Sequence, residues 1–413
     1  MNDLPKILII GSVWPEPNSS AAGSRMMYLI GTFLKQHWKV TFVSTAAESP
    51  FMSDLESLGV EKYQILLNSS TFDDFVKDLR PDIVMFDRFM VEEQFGWRVA
   101  EACPQALRIL DTEDLHTLRY ARQAAFKQQR SFKQEDLLDT EMAFREIASI
   151  YRCDMTLVIS AYEMKILKDV FKIDDSLLFY LPFQIERSDE IQLPDFNERA
   201  GFISIGNFLH EPNWNAVLYL KEQIWPAIRK RLPKAILKVY GAYPSQKVLT
   251  LDNKKEGFYI EGRADSVADV MSASRVCLAP LRFGAGLKGK LIDAMFYGTP
   301  NVTTAIGAEA MDLGLPWAGF IEDDASLFAE KAVELYTDQM LWKQSVENGY
   351  RILEQNFSIK LTADFVKAVI FLLNDLEHHR KHNFMGRMLM HHAFASTKFM
   401  SKWIEEKHSG KTP

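Results

Sequence analysis

The sequence predicts an α/β protein made of two doubly wound parallel sheets, and three observations carry that prediction. Short apolar runs of strand length alternate with helical patterns through most of the chain, the rhythm of repeated βαβ units. Two junctions, after residues 7–11 and after 276–281, run strand, glycine-bearing loop, helix, the local order that brings a ligand to a strand's carboxyl end. Between them residues 182–199 are charged and proline-bearing without periodicity, as a linker would be. At 413 residues the chain is long for one core. The predicted division is a first domain over 1–185, a linker over 186–200, a second domain over 201–355 and terminal helices over 356–413.

Composition narrows the classes. With 47% hydrophobic and 25% charged residues the chain is ordinary globular protein, and a net charge of -7 excludes a generic nucleic-acid binder, which needs a basic surface to displace counterions. The three cysteines, Cys103, Cys153 and Cys277, form no CxxC and suggest neither a zinc site nor a disulfide framework. The start leads from a few apolar residues into Pro15 and Pro17, unlike a signal peptide, and no apolar run approaches the roughly 20 residues that span a bilayer. A cytoplasmic protein is expected.

In chain order, the strand at 7–11 leads through a polar loop to a helix at 25–36 and a strand at 39–44, one βαβ unit with a right-handed crossover. Arg25 is expected to snorkel from that helix. Strands follow at 63–67, 83–86 and 107–110. After the last comes DTEDLHTLRYARQ, which packs Asp111, Glu113, Asp114, His116, Arg119 and Arg122 at a strand's carboxyl end. His116 has the chemistry to exchange a proton with a hydroxyl near neutral pH. The structural alternative is a helix capped by Asp111 or Asp114. The stretch at 123–138, basic at first with Arg122, Lys127, Arg130 and Lys133, reads as a solvated helix face. Helix 141–150, strand 155–160 and helix 161–171 complete the first domain.

The second domain opens with strand 202–205, Gly206, Asn207 and a helix from Asn213, with His210 between. Strands 236–241, 257–261, 276–281 and 301–304 continue it. The stretch PLRFGAGLKGKLIDAMFYGTP, residues 280–300, is the most informative in the chain. Gly284 and Gly286 let backbone approach a ligand, and the amides around Leu287 open a helix toward an anion. Lys288 and Lys290 add cations, and Asp293, one turn on from Lys290, offers a carboxylate to sugar hydroxyls. Diphosphate followed by ribose fits; a glycine turn that only packs a helix on a sheet fits these residues too.

The run GAGLKGKLIDAM followed by GTPNVTTAIGAE resembles the nucleotide-sugar site of retaining GT-B glycosyltransferases of the family 4 type. The resemblance implies two Rossmann-like domains facing across a cleft, with terminal helices returning to the first. It implies that Asp293, where the family usually has Glu, binds the donor ribose, and that Lys290 helps hold the diphosphate with Lys288, Gly284, Gly286 and Leu287. In the loop PEPNSSAAGSR it implies Gly23 as a diphosphate contact from the facing domain. The pattern D-x-x-D-x-H-x-x-R is matched by Asp111, Asp114, His116 and Arg119, which implies catalytic roles for His116 and Asp114. Gly262 and Arg263 fall at the nucleobase loop, and Asn207, His210, Thr304 and Glu309 at the donor pocket; Glu309 reads equally as a helix N-terminal carboxylate. Ala285 stands where many members carry a second Glu, and the basic pair usual near Gly206 is missing.

The implied function is transfer of a sugar from a nucleotide-diphosphate sugar to a hydroxyl acceptor, without metal or cofactor, in surface polysaccharide or glycolipid assembly. Two alternatives stay open: a non-catalytic nucleotide-sugar-binding subunit and a nucleotide-sugar epimerase. In the tail, Phe384, Met388, His391, Ala395, Phe399 and Trp403 recur at three- and four-residue steps among Arg380, Lys381, Arg387, Lys398, Lys402, Lys407 and Lys411, an amphipathic basic helix. Its apolar face is expected to dock on the first domain; the alternative is a membrane surface contacted through 380–405, where a lipid-linked acceptor would lie.

Overall fold

The computed structural model describes residues 4–186 and 192–409, with side chains at 392–397 and 408–409 outside the description. Part of the predicted linker, 187–191, and Lys411 also lie outside it. The first sheet has seven strands in the order β3-β2-β1-β4-β5-β6-β7: β1 Lys6–Gly11, β2 Lys39–Ser44, β3 Glu61–Gln64, β4 Ile83–Asp87, β5 Leu107–Asp111, β6 Met155–Val158 and β7 Leu178–Tyr180. The second has six in the order β10-β9-β8-β11-β12-β13: β8 Phe202–Ile205, β9 Leu237–Tyr240, β10 Phe258–Gly262, β11 Val276–Ala279, β12 Asn301–Thr303 and β13 Gly319–Ile321.

Both sheets are parallel throughout, because each strand returns through a crossover rather than a hairpin. The register of β1 on β4 pairs Ile7 with Ile83 and Ile10 with Phe86, apolar on both faces as a sheet covered on two sides demands. Strand order reverses between β1 and β4 in the first sheet and between β8 and β11 in the second. These reversals open the crevices in which ligands of such sheets sit. The short edge strands β7 and β13, of three residues each, escape the sequence reading because so few positions show no periodicity.

The helix Lys360–His382 returns to the first domain. Its Phe365, Val366, Val369, Leu372 and Leu376 are buried in one cluster with Ile7, Ile9, Trp14, Leu29, Phe33 and Ile109. Next comes helix Phe384–Ser409, which packs on helices Phe89–Ala102 and Glu141–Arg152. It docks by a face other than the one expected. Contacts run through Met390, whose sulfur accepts from Arg108, through Ser401, which accepts from Arg98 at 2.9 Å, and through Glu405, which accepts from the Ser70 amide at 2.6 Å. Phe384, Met388, Phe399 and Trp403 stand 71, 41, 67 and 60% exposed. Periodicity identifies residues that share a face; the buried guanidinium of Arg98, seeking oxygen, decides which face turns inward. Among the described residues no helix is long and apolar enough to cross a membrane.

Arg25 does not snorkel. It is 2% exposed, with Nε and Nη2 donating to the Asp111 carboxylate at 2.9–3.1 Å and Nη1 to the Leu181 carbonyl at 2.7 Å. A buried guanidinium is tolerated where carboxylate and carbonyl satisfy its fork.

Candidate functional site

The second sheet's crevice gathers Gly206, Asn213 and Lys290. The Lys290 ammonium donates to Asn213 Oδ1 at 2.7 Å, and Asn213 Nδ2 donates to the Asn207 carbonyl at 2.8 Å. A Cβ on Gly206 would lie 2.6 Å from Lys290 Nζ, so the missing side chain is what admits the lysine. Burial pushes the Lys290 ammonium down to about 8. Asp293 lies one turn along the helix Gly289–Phe296, and burial alone pushes its carboxyl up to about 7. Among the described residues no hydrogen bond or ion pair engages its carboxylate, which lies in electrostatic reach of Tyr297.

Lys288 is placed differently from expectation. Only 9% exposed, its ammonium donates to the carbonyls of Ala285 at 3.0 Å and Gly286 at 2.5 Å, so it braces the glycine loop from within. Burial pushes it down to about 8, the Glu309 carboxylate opposing. The Gly286 amide is likewise engaged: it donates to Glu163 Oε1 of the facing domain at 2.8 Å. Gly286 has φ +64°, and a Cβ there would lie 2.8 Å from Asp114 Cβ, so glycine permits both the turn and the domain approach. Leu287 is buried in the core beside Ile159 of the first domain. The Gly284 carbonyl accepts from Arg122 at 2.9 Å.

From the first domain, Gly23 does not offer its amide: that group caps its own helix through Ser20 Oγ at 3.0 Å. Ala21, two residues earlier, is the one that packs against Gly289 of the facing helix. Asp114 and His116 do meet, with Nε2 3.4 Å from Asp114 Oδ1, and Arg119 binds both Asp114 oxygens at 2.8–3.0 Å. Burial pushes the His116 imidazole down to about 4 despite Asp114, so the ring is neutral near pH 7. Burial would raise Asp114, but Arg119, His116 and Arg88 hold it low. His210, at the exposed rim, lies in electrostatic reach of Arg119 and Asp114; desolvation, then Arg119, pushes it below its ordinary value.

Neither Asp111 nor Asp114 caps the helix His116–Lys127. Its first amides are taken by buried carboxylates from elsewhere: Glu163 accepts from Leu115 at 3.0 Å, and Glu146 from His116 and Thr117 at 2.9 and 2.8 Å. Glu309 is no helix N-terminal carboxylate either. It ends the helix Ala305–Ala308 and forms a two-pronged pair with Arg122 at 2.6 and 2.8 Å, joining the domains. The basic stretch read as solvated therefore contains a buried seam residue. Thr304 caps the same short helix through Gly307 and bonds the Leu281 carbonyl. Gly262 takes φ +73°, and Arg263 stacks its guanidinium 4.3 Å from the Phe51 ring across the cleft.

Sequence reasoning missed Glu163, Glu146, Asn213's contact and the pair Asp87–Arg88 at the end of β4. Two of these had a signal: Glu163 in its fixed place in the first turn after β6, and Asn213 at the junction after β8. Among the described residues no group of three or more His, Cys, Asp and Glu side chains could hold a metal ion.

Two Rossmann-like domains with their switch points face to face and a terminal helix returned to the first constitute the GT-B architecture. Residues 199–338, nearly all of the second domain, match the family described as Glycosyl transferases group 1. A TarM variant from S. aureus, solved with Fondaparinux, alpha-GlcNAc-glycerol and UDP, is similar over 90% of this chain and 100% of its own at 10% identity and TM-score 0.67. Sucrose-phosphate synthase from Thermosynechococcus elongatus is similar over 90 and 100% at 15% identity and TM-score 0.66. HepE from Anabaena, solved with UDP and glucose, is similar over 89 and 99% at 12% identity and TM-score 0.63. At these identities the likeness is one of fold. No curated protein is similar enough to match the chain.

Proposed function

We propose that this chain moves a sugar, with retention, from a nucleotide-diphosphate sugar to a hydroxyl acceptor. The observation that carries the reading is the pairing, in a group 1 domain, of a half-buried Lys290 with an unpartnered Asp293 one turn away at the second switch point. Breaking the bond at the anomeric carbon builds negative charge on the departing diphosphate, so the reaction needs a fixed cation more than a strong base. Lys290 supplies it directly, and Lys288 stiffens the loop beside it; no metal ion is assigned a part. Asp293 takes the ribose hydroxyls. His116, neutral and oriented by Asp114, meets the sugar or acceptor hydroxyl. The UDP in the TarM and HepE structures supports a uridine nucleotide as the first donor to try.

The acceptor is assigned to a membrane-linked saccharide at the cytoplasmic face, in polysaccharide or glycolipid assembly. Supporting this is the outward row Phe384, Met388, Phe399 and Trp403 beside the exposed Arg387, Lys402 and Lys407, apolar and basic in a chain of net charge -7. A non-catalytic binding subunit is the second reading. It is favoured by Ala285, which is packed into the first domain's apolar core and leaves no carboxylate at that position.

Thermal stability against UDP-, GDP- and ADP-sugars tests the donor site, since a ligand bound only by the folded state raises the midpoint. A rise with one donor, lost in Lys290→Ala and Asp293→Ala, is expected. No rise with any of them overturns the reading; a rise without hydrolysis or transfer selects the binding subunit.

A further inference from the structure

We propose that the surface cavity between the end of helix His116–Lys127 and the segment 282–283 binds a sugar that carries an oxyanion, a carboxylate or a phosphate. The inference goes beyond the glycosyl-transfer reading and does not depend on it, since none of Lys290, Asp293 and His116 lines the cavity.

The place is a seam. Phe126, Lys127, Gln129, Arg130 and Ser131 of the first domain and Arg282 of the second line a space of about 640 Å³, enough to admit a monosaccharide. Phe126 meets Phe283 of the facing domain, ring centroids 5.0 Å apart, so the two halves of the lining are in contact. An α-helix rises 1.5 Å per residue, which puts Phe126 roughly 15 Å along its helix from His116. Beyond it Gln129 takes φ 56°, the left-handed turn that ends the helix and carries Arg130 and Ser131 around the cavity.

Arg282 is the fixed part of the lining. Its Nε donates to Asn215 Oδ1 at 2.7 Å, and its guanidinium carbon lies 4.7 Å from the centre of the Phe126 ring and 4.4 Å from that of Tyr219. Two rings and one hydrogen bond hold the fork without occupying its ends. Among the described residues no hydrogen bond engages Nη1 or Nη2, and no carboxylate pairs with the group. Burial pushes the guanidinium below its ordinary value, with Tyr219 and Glu222 opposing from a distance. A cation that has lost part of its water and gained no counter-ion is stabilised by an anion brought to it.

The rest of the lining sets the sign and the kind of guest. Lys127 is exposed and has no ion-pair partner among the described residues. Arg130 is already paired with Asp136 at 2.7 Å. No acidic side chain among the described residues lines the cavity, so Arg282 and Lys127 leave it positive in a chain whose net charge is -7. The fork of an arginine matches two oxygens of a carboxylate or phosphate side by side, and the lysine adds a mobile cation. Gln129 and Ser131 offer the neutral donors and acceptors that sugar hydroxyls use, and the space exceeds what a bare ion fills.

Calorimetric titration of the full chain at pH 7 with glucose, inorganic phosphate, glucose 6-phosphate and glucuronic acid tests this. At least one of the two sugar anions is expected to bind about tenfold or more tightly than glucose and than phosphate. Arg282→Lys, which keeps the charge and loses the fork, should weaken that binding about tenfold. Lys127→Ala, at an exposed position, should weaken it about threefold with the thermal midpoint unchanged. Lys290→Ala should retain it in full; loss of binding in that variant assigns the sugar anion to the donor pocket and overturns the proposal. Absence of binding by both sugar anions, equal binding of glucose or of phosphate alone, or unchanged affinity in both Arg282→Lys and Lys127→Ala would each overturn it as well. Failure of UDP to bind strikes the donor reading alone, because no arm of this titration contains nucleotide.

Discussion

Lys290 and Asp293 divide the work of holding a donor, and their removal separates charge from hydrogen bonding. Lys290→Ala is expected to weaken nucleotide-sugar binding by about 1.5–3 kcal/mol, the worth of a hydrogen bond to a charged group, as read by calorimetry. The ammonium loses its proton near pH 8 and the Asp293 carboxyl takes one up near 7, so donor affinity should fall as pH rises through the first value and fall again as pH drops below the second. His116 stays neutral down to about pH 4, so a rate profile between pH 5 and 7 should lack a histidine limb. The motif residues were legible because their spacing on one helix is local. The pairings of Glu163 and Arg122 were not, because their partners Gly286 and Glu309 lie 123 and 187 positions away along the chain. No local pattern encodes such a pairing.

Two elements carry consequences of their own. The loop before helix Gly289–Phe296 turns through Gly286 at φ +64° with no room for a methyl group, so Gly286→Ala should cost about 1–3 kcal/mol of stability in a denaturant titration. A smaller change means that the domains yield there. Helix Phe384–Ser409 was legible as an amphipathic basic helix, yet its docking was read backwards, because a period of 3.6 residues says nothing about which neighbour a face meets. With its apolar row outward, the protein should sediment with vesicles containing phosphatidylglycerol and leave neutral phosphatidylcholine vesicles largely unbound. Phe399→Ser with Trp403→Ser should reduce that binding by tenfold or more, since burying each aromatic contributes about 1.5–3 kcal/mol. Equal sedimentation with both lipids would remove the electrostatic part of the argument.

At the scale of the molecule the two domains are fastened across their cleft by Arg122 with Glu309, Glu163 with the Gly286 amide, and Tyr243 with the Glu16 carboxylate at 2.9 Å. Breaking a buried pair by removing one partner leaves an uncompensated charge. Arg122→Ala should therefore open the cleft, seen as a larger radius of gyration in small-angle scattering, while both domains keep their circular dichroism. The division into two parallel sheets was legible from alternation of apolar runs, which each sheet repeats. The fastening was not, because it depends on side chains that meet only after both sheets exist.

The return of helix Lys360–His382 to the first sheet has a temporal consequence. Phe365, Val366, Val369, Leu372 and Leu376 complete an apolar cluster whose other members begin at Ile7. During synthesis the first half of the chain leaves the ribosome with that surface uncovered, and it stays so until nearly four hundred residues have been made. A nascent chain stopped before Lys360 should accordingly recruit chaperones and resist release as a monomer, whereas one extended past Leu376 should not.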